Sequence, residues 1–296
     1  MTGRIIKALS GFYYVSLESQ IFECKARGNF RKSGISPLVG DNVEFEKISE
    51  NTGIIDKILP RKNCLVRPPV ANIDKLFIVS SVSTPKPNTF IIDKMTVIAE
   101  FNNIEPIIVF NKCDMGSAEE FRTIYENAGF KTYVISAKDK VGIDLLSKEM
   151  KGSVSAFTGN SGVGKSSVLN AIFDNEIIET GIVSEKLGRG KHTTRHTELY
   201  SLGFGGFVAD TPGFSSLELD INNFELKENL EYCFSDFKEY LGGCKFTSCT
   251  HTKEKSCAIL EAVSSGKIEK TRHESYCQLA EEMKNIKFWE SSKKTK

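Results

Sequence analysis

Eight consecutive residues constrain this chain more than any others: Gly159-Asn160-Ser161-Gly162-Val163-Gly164-Lys165-Ser166. Glycines at that spacing let successive backbone N–H groups turn inward and form a concavity for anionic oxygens. The pattern requires a strand before the loop and a helix after it. Both candidates are present, an apolar run at 154–158 and a helix-like segment at 165–173. The chain must therefore contain an α/β layer. Lys165 brings a point charge to the outer phosphates of a nucleotide, and the Ser166 hydroxyl suits Mg²⁺.

The surrounding texture agrees. Strand-like runs at 75–80, 106–110, 132–136, 154–158 and 207–209 alternate with helix-like segments at 90–101, 119–128, 142–148 and 165–173, as in an α/β domain with a mainly parallel sheet. Upstream, about five short strands (3–9, 12–18, 20–26, 42–47, 54–59) separated by Gly, Ser, Pro and Asn fit a small barrel, with an OB-fold as one candidate. Pro60, Pro68 and Pro69 mark a linker, and a helical region begins near Asn223 and ends in a helix over 267–287. The expected organisation is three modules, 1–66, 67–222 and 223–296.

Three further motifs specify the nucleotide. Asp210-Thr211-Pro212-Gly213 follows an apolar strand, so Asp210 can reach Mg²⁺ through water and the Gly213 N–H can meet a γ-phosphate. Asn111-Lys112-Cys113-Asp114 follows another. The Asp114 carboxylate accepts from guanine N1–H and its exocyclic amine, a donor pair that adenine lacks, which disfavours ATP. Ser136-Ala137-Lys138 follows the next strand, within backbone reach of guanine O6. The order is inverted relative to Ras-like domains, because the base readers precede the phosphate loop and Asp210 comes last. That is a circular permutation.

Between the helix and Asp210 lies a Gly-rich basic segment, 181–195, with the texture of a switch loop. Thr193 or Thr194 is expected to give Mg²⁺ its second hydroxyl. Phe214 stands where Ras-like enzymes carry a water-orienting Gln, and a phenyl ring cannot orient water. His192 is the candidate for that role.

Cys244, Cys249, His251 and Cys257 crowd into fourteen residues as a Cys3His set, a closed tetrahedral arrangement typical of structural Zn²⁺. His273 and Cys277 read as helix surface and core. The net charge of +1 hides an asymmetry: residues 1–70 hold 11 Lys+Arg against 7 Asp+Glu, 71–240 hold 17 against 24, and 241–296 hold 11 against 7. The basic ends suit a polyanion. Arg27, Arg31, Lys32, Lys57, Arg61 and Lys62 at one end, and Lys267, Lys270, Arg272, Lys284 and Lys287 at the other, are the expected phosphate contacts. No signal-length or membrane-length apolar segment is present, so a soluble cytoplasmic protein without membrane contact is expected; a monomer is also expected.

Taken together, the permuted order, the run from Gly159 through Ser167, Gly188-Arg189-Gly190-Lys191-His192-Thr193-Thr194, Asp210-Thr211-Pro212-Gly213-Phe214 and the Cys-x4-Cys-x-His-x5-Cys knuckle resemble the small-ribosomal-subunit-dependent GTPases, the RsgA family, also called YjeQ or YloQ. The resemblance covers essentially the whole chain. It implies an N-terminal OB-fold, a central circularly permuted GTPase and a C-terminal helical zinc domain. It also implies slow intrinsic GTP hydrolysis to GDP, stimulated by the small (30S) subunit during its late maturation, with rRNA as a partner. The family's proposed catalytic histidine aligns with His192. Two rivals stay open on the residues alone: a GTP-dependent modifying enzyme, which would need a second catalytic constellation, and a switch protein whose partners are proteins.

Overall fold

The computed structural model describes residues 1–18, 20–28, 30, 35–66, 68–180, 197–210 and 224–284. At the N-terminus, β1 (Thr2–Leu9), β2 (Phe12–Leu17), β3 (Gln20–Ala26), β4 (Asn42–Lys47) and β5 (Thr52–Ile58) pair in the cyclic order β1-β2-β3-β5-β4-β1, with β3 and β5 parallel. Alternation drives closure. Ile5, Val15, Phe22, Cys24, Val43, Phe45 and Ile55 point inward and are at most 1% exposed. The result is the OB-like barrel expected.

The stretch expected as a linker is instead a hairpin, β6 (Cys64–Val66) with β7 (Pro69–Ala71). Its own Leu65 and Val70, paired across the two strands, are buried. Two buried amides hold it: Asn63 accepts from Ile73 N and donates to Ile73 O, while Asn72 accepts from Lys62 N and donates to Gly40 O. Gly40 at φ 93° is obligatory there, because a Cβ would lie 2.0 Å from Ala71 O.

The central sheet runs β10-β9-β8-β11-β13-β12. Strands β8 (Lys75–Ser81), β9 (Glu105–Asn111), β10 (Lys131–Val134), β11 (Val154–Thr158) and β13 (Phe207–Asp210) are parallel, and β12 (Glu198–Ser201) is antiparallel to β13. Its near-continuous apolar strands β8, β9 and β11 are buried on both faces. One face, with Phe77, Val79, Ile107 and Val109, packs on α3 (Ile143–Met150) and α4 (Lys165–Thr180). The other, with Ile78, Ile108 and Phe110, packs on α1 (Thr89–Phe101) and α2 (Glu119–Asn127). The α/β layer is thus as expected, apart from β12, which sequence periodicity did not signal.

The C-terminal part holds α5 (Phe224–Glu228), α6 (Ala258–Ser264) and α7 (Lys270–Met283). Here Arg272 requires a correction. It is 0% exposed, not a phosphate contact on the surface. Its guanidinium bonds Asp93 of α1 at 2.8 Å and Asp236 at 2.7 and 3.2 Å, between the rings of Phe130 and Phe234. Arg61 is similarly committed, bonding both oxygens of the fully buried Asp41 at 2.7 and 2.8 Å. Arg27, Lys57 and Lys62 form more exposed pairs with Asp56 and Glu46, Glu44, and Asp74, and such pairs yield readily to a competing anion. Arg31, Lys32 and Lys287 lie outside the described residues. Among the described residues no helix is long and apolar enough to cross a membrane.

Candidate functional site

Strand β11 delivers the chain to Gly159, whose φ of 138° excludes other residues: a Cβ there would sit 2.1 Å from Val79 O. At Gly164, φ 95°, a Cβ would sit 2.4 Å from Asn111 Nδ2. The loop is therefore wrapped tightly between two neighbouring strands, and glycine is what permits it. Val163 plugs it from below at 2% exposure. Asn160 is half-buried, whereas Ser161, Gly162, Ser166 and Ser167 face solvent. The Lys165 ammonium donates to Gly159 O at 2.6 Å and Asn160 O at 2.9 Å, spanning the loop, and burial lowers its pKa.

The two base-reading segments meet this loop at the C-terminal ends of β9 and β10. Asn111, the last residue of β9, is 2% exposed. It donates to Val163 O and accepts from Ala137 N, both at 3.0 Å. Its amide thereby ties the phosphate loop to the Ser136–Lys138 turn. Lys112 adopts a left-handed φ of 67° and donates to Gly162 O at 2.8 Å and Thr84 O at 2.5 Å. Within the protein, the Asn111 amide bonds both the loop and the Ser136–Lys138 turn, and the Lys112 ammonium bonds both the loop and Thr84 O.

Asp114 is oriented separately. Its Oδ1 accepts from the Ser136 hydroxyl at 2.9 Å, and the exposed Lys138 ammonium lies 3.8 Å from Oδ2. Asp139, which sequence inspection did not single out, engages the same hydroxyl through its N–H at 3.1 Å and its carboxylate at 3.3 Å. Asp210 ends β13, directly opposite Glu198. The backbone alone is described at Asp210; His192, Thr193, Thr194 and Gly213 lie outside the described residues.

A second site is independent of the first. The ligand atoms of Cys244, Cys249, His251 and Cys257 all lie within 4.8 Å of one another. A tetrahedron with metal–sulfur bonds of about 2.3 Å and metal–nitrogen bonds of about 2.05 Å has S···S edges of about 3.75 Å and S···N edges of about 3.55 Å. The observed values fit: 3.7 Å for Cys244–Cys257, and 3.5 and 3.4 Å from His251 Nδ1 to Cys244 and Cys257. Burial, with the adjacent thiols, pushes the Cys249 thiol up to about 12 without a cation to share its charge. This donor set can hold a metal ion.

Helix α7 supports that set. His273 Nε2 donates to His251 O at 2.7 Å, and the Tyr276 hydroxyl donates to Thr250 O at 3.0 Å. The sequence reading of His273 as helix surface missed this, since no local pattern tells which loop a helix will clamp. Glu254 accepts the N–H groups of Thr250, Thr252 and Lys253 within the loop.

Comparison with known proteins follows the same division. A family model described as RsgA GTPase matches residues 58–220, and one described as RsgA N-terminal domain matches 2–55. The chain belongs to the RsgA GTPase family. A further model, described as 50S ribosome-binding GTPase, matches residues 154–288. Relatives from Caldanaerobacter subterraneus subsp. tengcongensis and Halalkalibacterium halodurans, each named small ribosomal subunit biogenesis GTPase RsgA, are 48% and 47% identical. The first alignment covers 95% of both chains, and the second 95% of this chain and 97% of the relative. Among solved RsgA-type structures, YjeQ from Thermotoga maritima superposes with a TM-score of 0.82 at 34% identity over 97% of this chain and 99% of that one. YloQ, described as a circularly permuted GTPase, gives 0.81 at 37% identity over 97% and 96%.

Proposed function

We infer that this protein is a GTP hydrolase that binds the small (30S) ribosomal subunit and acts in its late maturation, with the subunit stimulating hydrolysis to GDP and phosphate. The observation that carries the reading is the convergence of the Gly159–Ser166 loop, Asn111–Asp114 and Ser136–Lys138 at one end of one sheet, in a chain aligned along 95% of its length with relatives named for small-subunit biogenesis. The model whose description names the large subunit matches only part of that length, so the small subunit is preferred.

In this reading Asp114 reads guanine, with Ser136, Ala137 and Lys138 closing over the base and Asn111 and Lys112 bracing the site. Gly159 to Ser167 wrap the phosphates, Lys165 turns from its loop carbonyls to the outer phosphates, and Gly213 meets the γ-phosphate. Ser166, Asp210 and Thr193 or Thr194 would hold Mg²⁺, which would supply charge neutralisation at the phosphates. His192 orients the attacking water, in place of the glutamine that Phe214 displaces. Replacing His192 with Ala abolishes turnover and leaves GDP affinity intact; unchanged turnover would remove it from the mechanism.

The Cys3His set takes one structural Zn²⁺, and its closed ligation leaves no position for chemistry. The modules divide at 1–66, 67–222 and 223–296, the ends contact rRNA, and the protein works as a cytoplasmic monomer. The deciding experiment compares GTP hydrolysis with and without purified small subunits. Slow hydrolysis alone and faster hydrolysis with subunits is expected. Equal rates would refute the ribosomal reading without touching the nucleotide site.

A further inference from the structure

Strand β1 serves two partners along one edge. Thr2, Gly3 and Arg4 lie opposite Glu44, Val43 and Asn42 of β4 and close the barrel. The register with β2 then slips between Ile5 and Lys7, so that Ile6 is the extra residue of a bulge. Strict alternation from the buried Ile5 would aim Lys7 into the barrel. The bulge re-aims it, placing Lys7 opposite Tyr14 rather than an inward-facing position. Beyond the bulge, Lys7 also lies opposite Glu198 of β12, the outermost strand of the central sheet. Glu198 is in turn opposite Asp210.

One cross-strand row therefore runs Glu23, Tyr14, Lys7, Glu198, Asp210, from the barrel to the end of β13. Tyr14 donates to Glu23 at 3.1 Å, and the Lys7 ammonium bonds both Glu198 oxygens at 3.1 and 3.2 Å. At the other end of β13, the Arg4 guanidinium covers the Phe207 ring at 5.3 Å. Strand β12 is only four residues long, and β1 is what keeps it from being a free edge.

We propose that Lys7 and Glu198 are positioning residues for GTP hydrolysis: their ion pair docks the barrel on β12 and so sets the position of Asp210 one rung further along. The proposal rests on the reading of Asp210 as a Mg²⁺ residue. Adjacent strands move together because the ladder fixes their spacing at about 4.8 Å. Lys7 and Glu198 are 35% and 26% exposed, so the pair is worth what partly exposed pairs are, which corresponds to roughly two- to five-fold in an equilibrium.

The test uses the full chain and no ribosomal subunits, so a failure of subunit stimulation would leave it standing. Lys7→Glu and Glu198→Lys are each made, then combined as a charge swap. Each single reversal is expected to raise the Mg²⁺ concentration for half-maximal intrinsic hydrolysis about two- to five-fold, with the swap restoring it. High salt should erase the difference. Amide hydrogen exchange over residues 2–9 should differ between GDP and a GTP analogue in the native chain and lose that difference in the single variants. If a reversal fails to fold, Lys7→Met and Glu198→Gln carry the same prediction at smaller size. An unchanged Mg²⁺ requirement in folded single variants, or a swap that behaves as the sum of its parts, overturns the proposal.

Discussion

Replacing Arg272 with Met tests how the C-terminal part is held to the central domain. Arg272 is 0% exposed, and so is Asp93; the Asp236 side chain is 5% exposed. The change removes three charge-assisted hydrogen bonds to carboxylates, at 2.7, 2.8 and 3.2 Å, and a cation between two aromatic rings. Methionine fills much of the space, so the main loss is not a cavity. It is two carboxylates left in the interior, and breaking one side of such a buried pair costs about 3–5 kcal/mol. Asp93 Oδ2 already has no hydrogen-bond partner, so losing the cation adds to an existing deficit.

Burial already raises the Asp93 pKa against the pull of Arg272. Without the cation it rises further, and a carboxyl with a raised folded-state pKa is least harmful when protonated. The destabilisation should therefore be greatest near pH 8 and shrink as the pH falls towards 5. The assay is urea unfolding of both proteins by circular dichroism at the two pH values. A loss below about 1 kcal/mol at pH 8, with weakened RNA binding instead, would refute the buried-clamp account and restore Arg272 to the surface.

Other expectations concern the two sites and the base of the sheet. Asn111→Ala removes both ties between the phosphate loop and the Ser136–Lys138 turn, and should weaken GDP binding about 5- to 150-fold in a fluorescent-nucleotide titration, on the order of 1–3 kcal/mol. Burial works to raise the Glu149 carboxyl, yet hydrogen bonds from Lys75, Tyr133 and Lys131 hold it at about 2. Because that lies below its ordinary 4.5, its stabilisation is complete above that value and is lost as the pH falls towards 2. The stability gap between the native chain and Glu149→Gln should accordingly narrow below pH 4.5 in chemical unfolding curves. Elemental analysis should find one zinc per chain, lost in Cys257→Ser, with greater protease sensitivity around α6 in that variant.

The nucleotide site was legible because its chemistry is written in contiguous residues. A run such as Gly159 to Ser166 carries its own backbone requirements, and the barrel strands announce themselves by alternation. The misread elements share a different origin. The hairpin at Cys64–Ala71 looked like a linker because prolines mark breaks locally, while Asn63 and Asn72 find their partners only in the folded chain. Strand β12 is four residues with little alternation, and exists because β13 and β1 flank it. His273 gave no signal, since its partner is a carbonyl 22 residues away.

Sequence alone marked the nucleotide motifs, their permuted order and the Cys3His donor set, since each is written in residue type along the chain. Only the tertiary structure decided which charges are surface and which are structural. Arg61 and Arg272 look no different from Arg27 in the chain, and burial depends on what packs over a side chain from far away. The same holds for the row from Glu23 to Asp210. Its members run from residue 7 to residue 210 of the chain, and strand pairing alone sets them side by side.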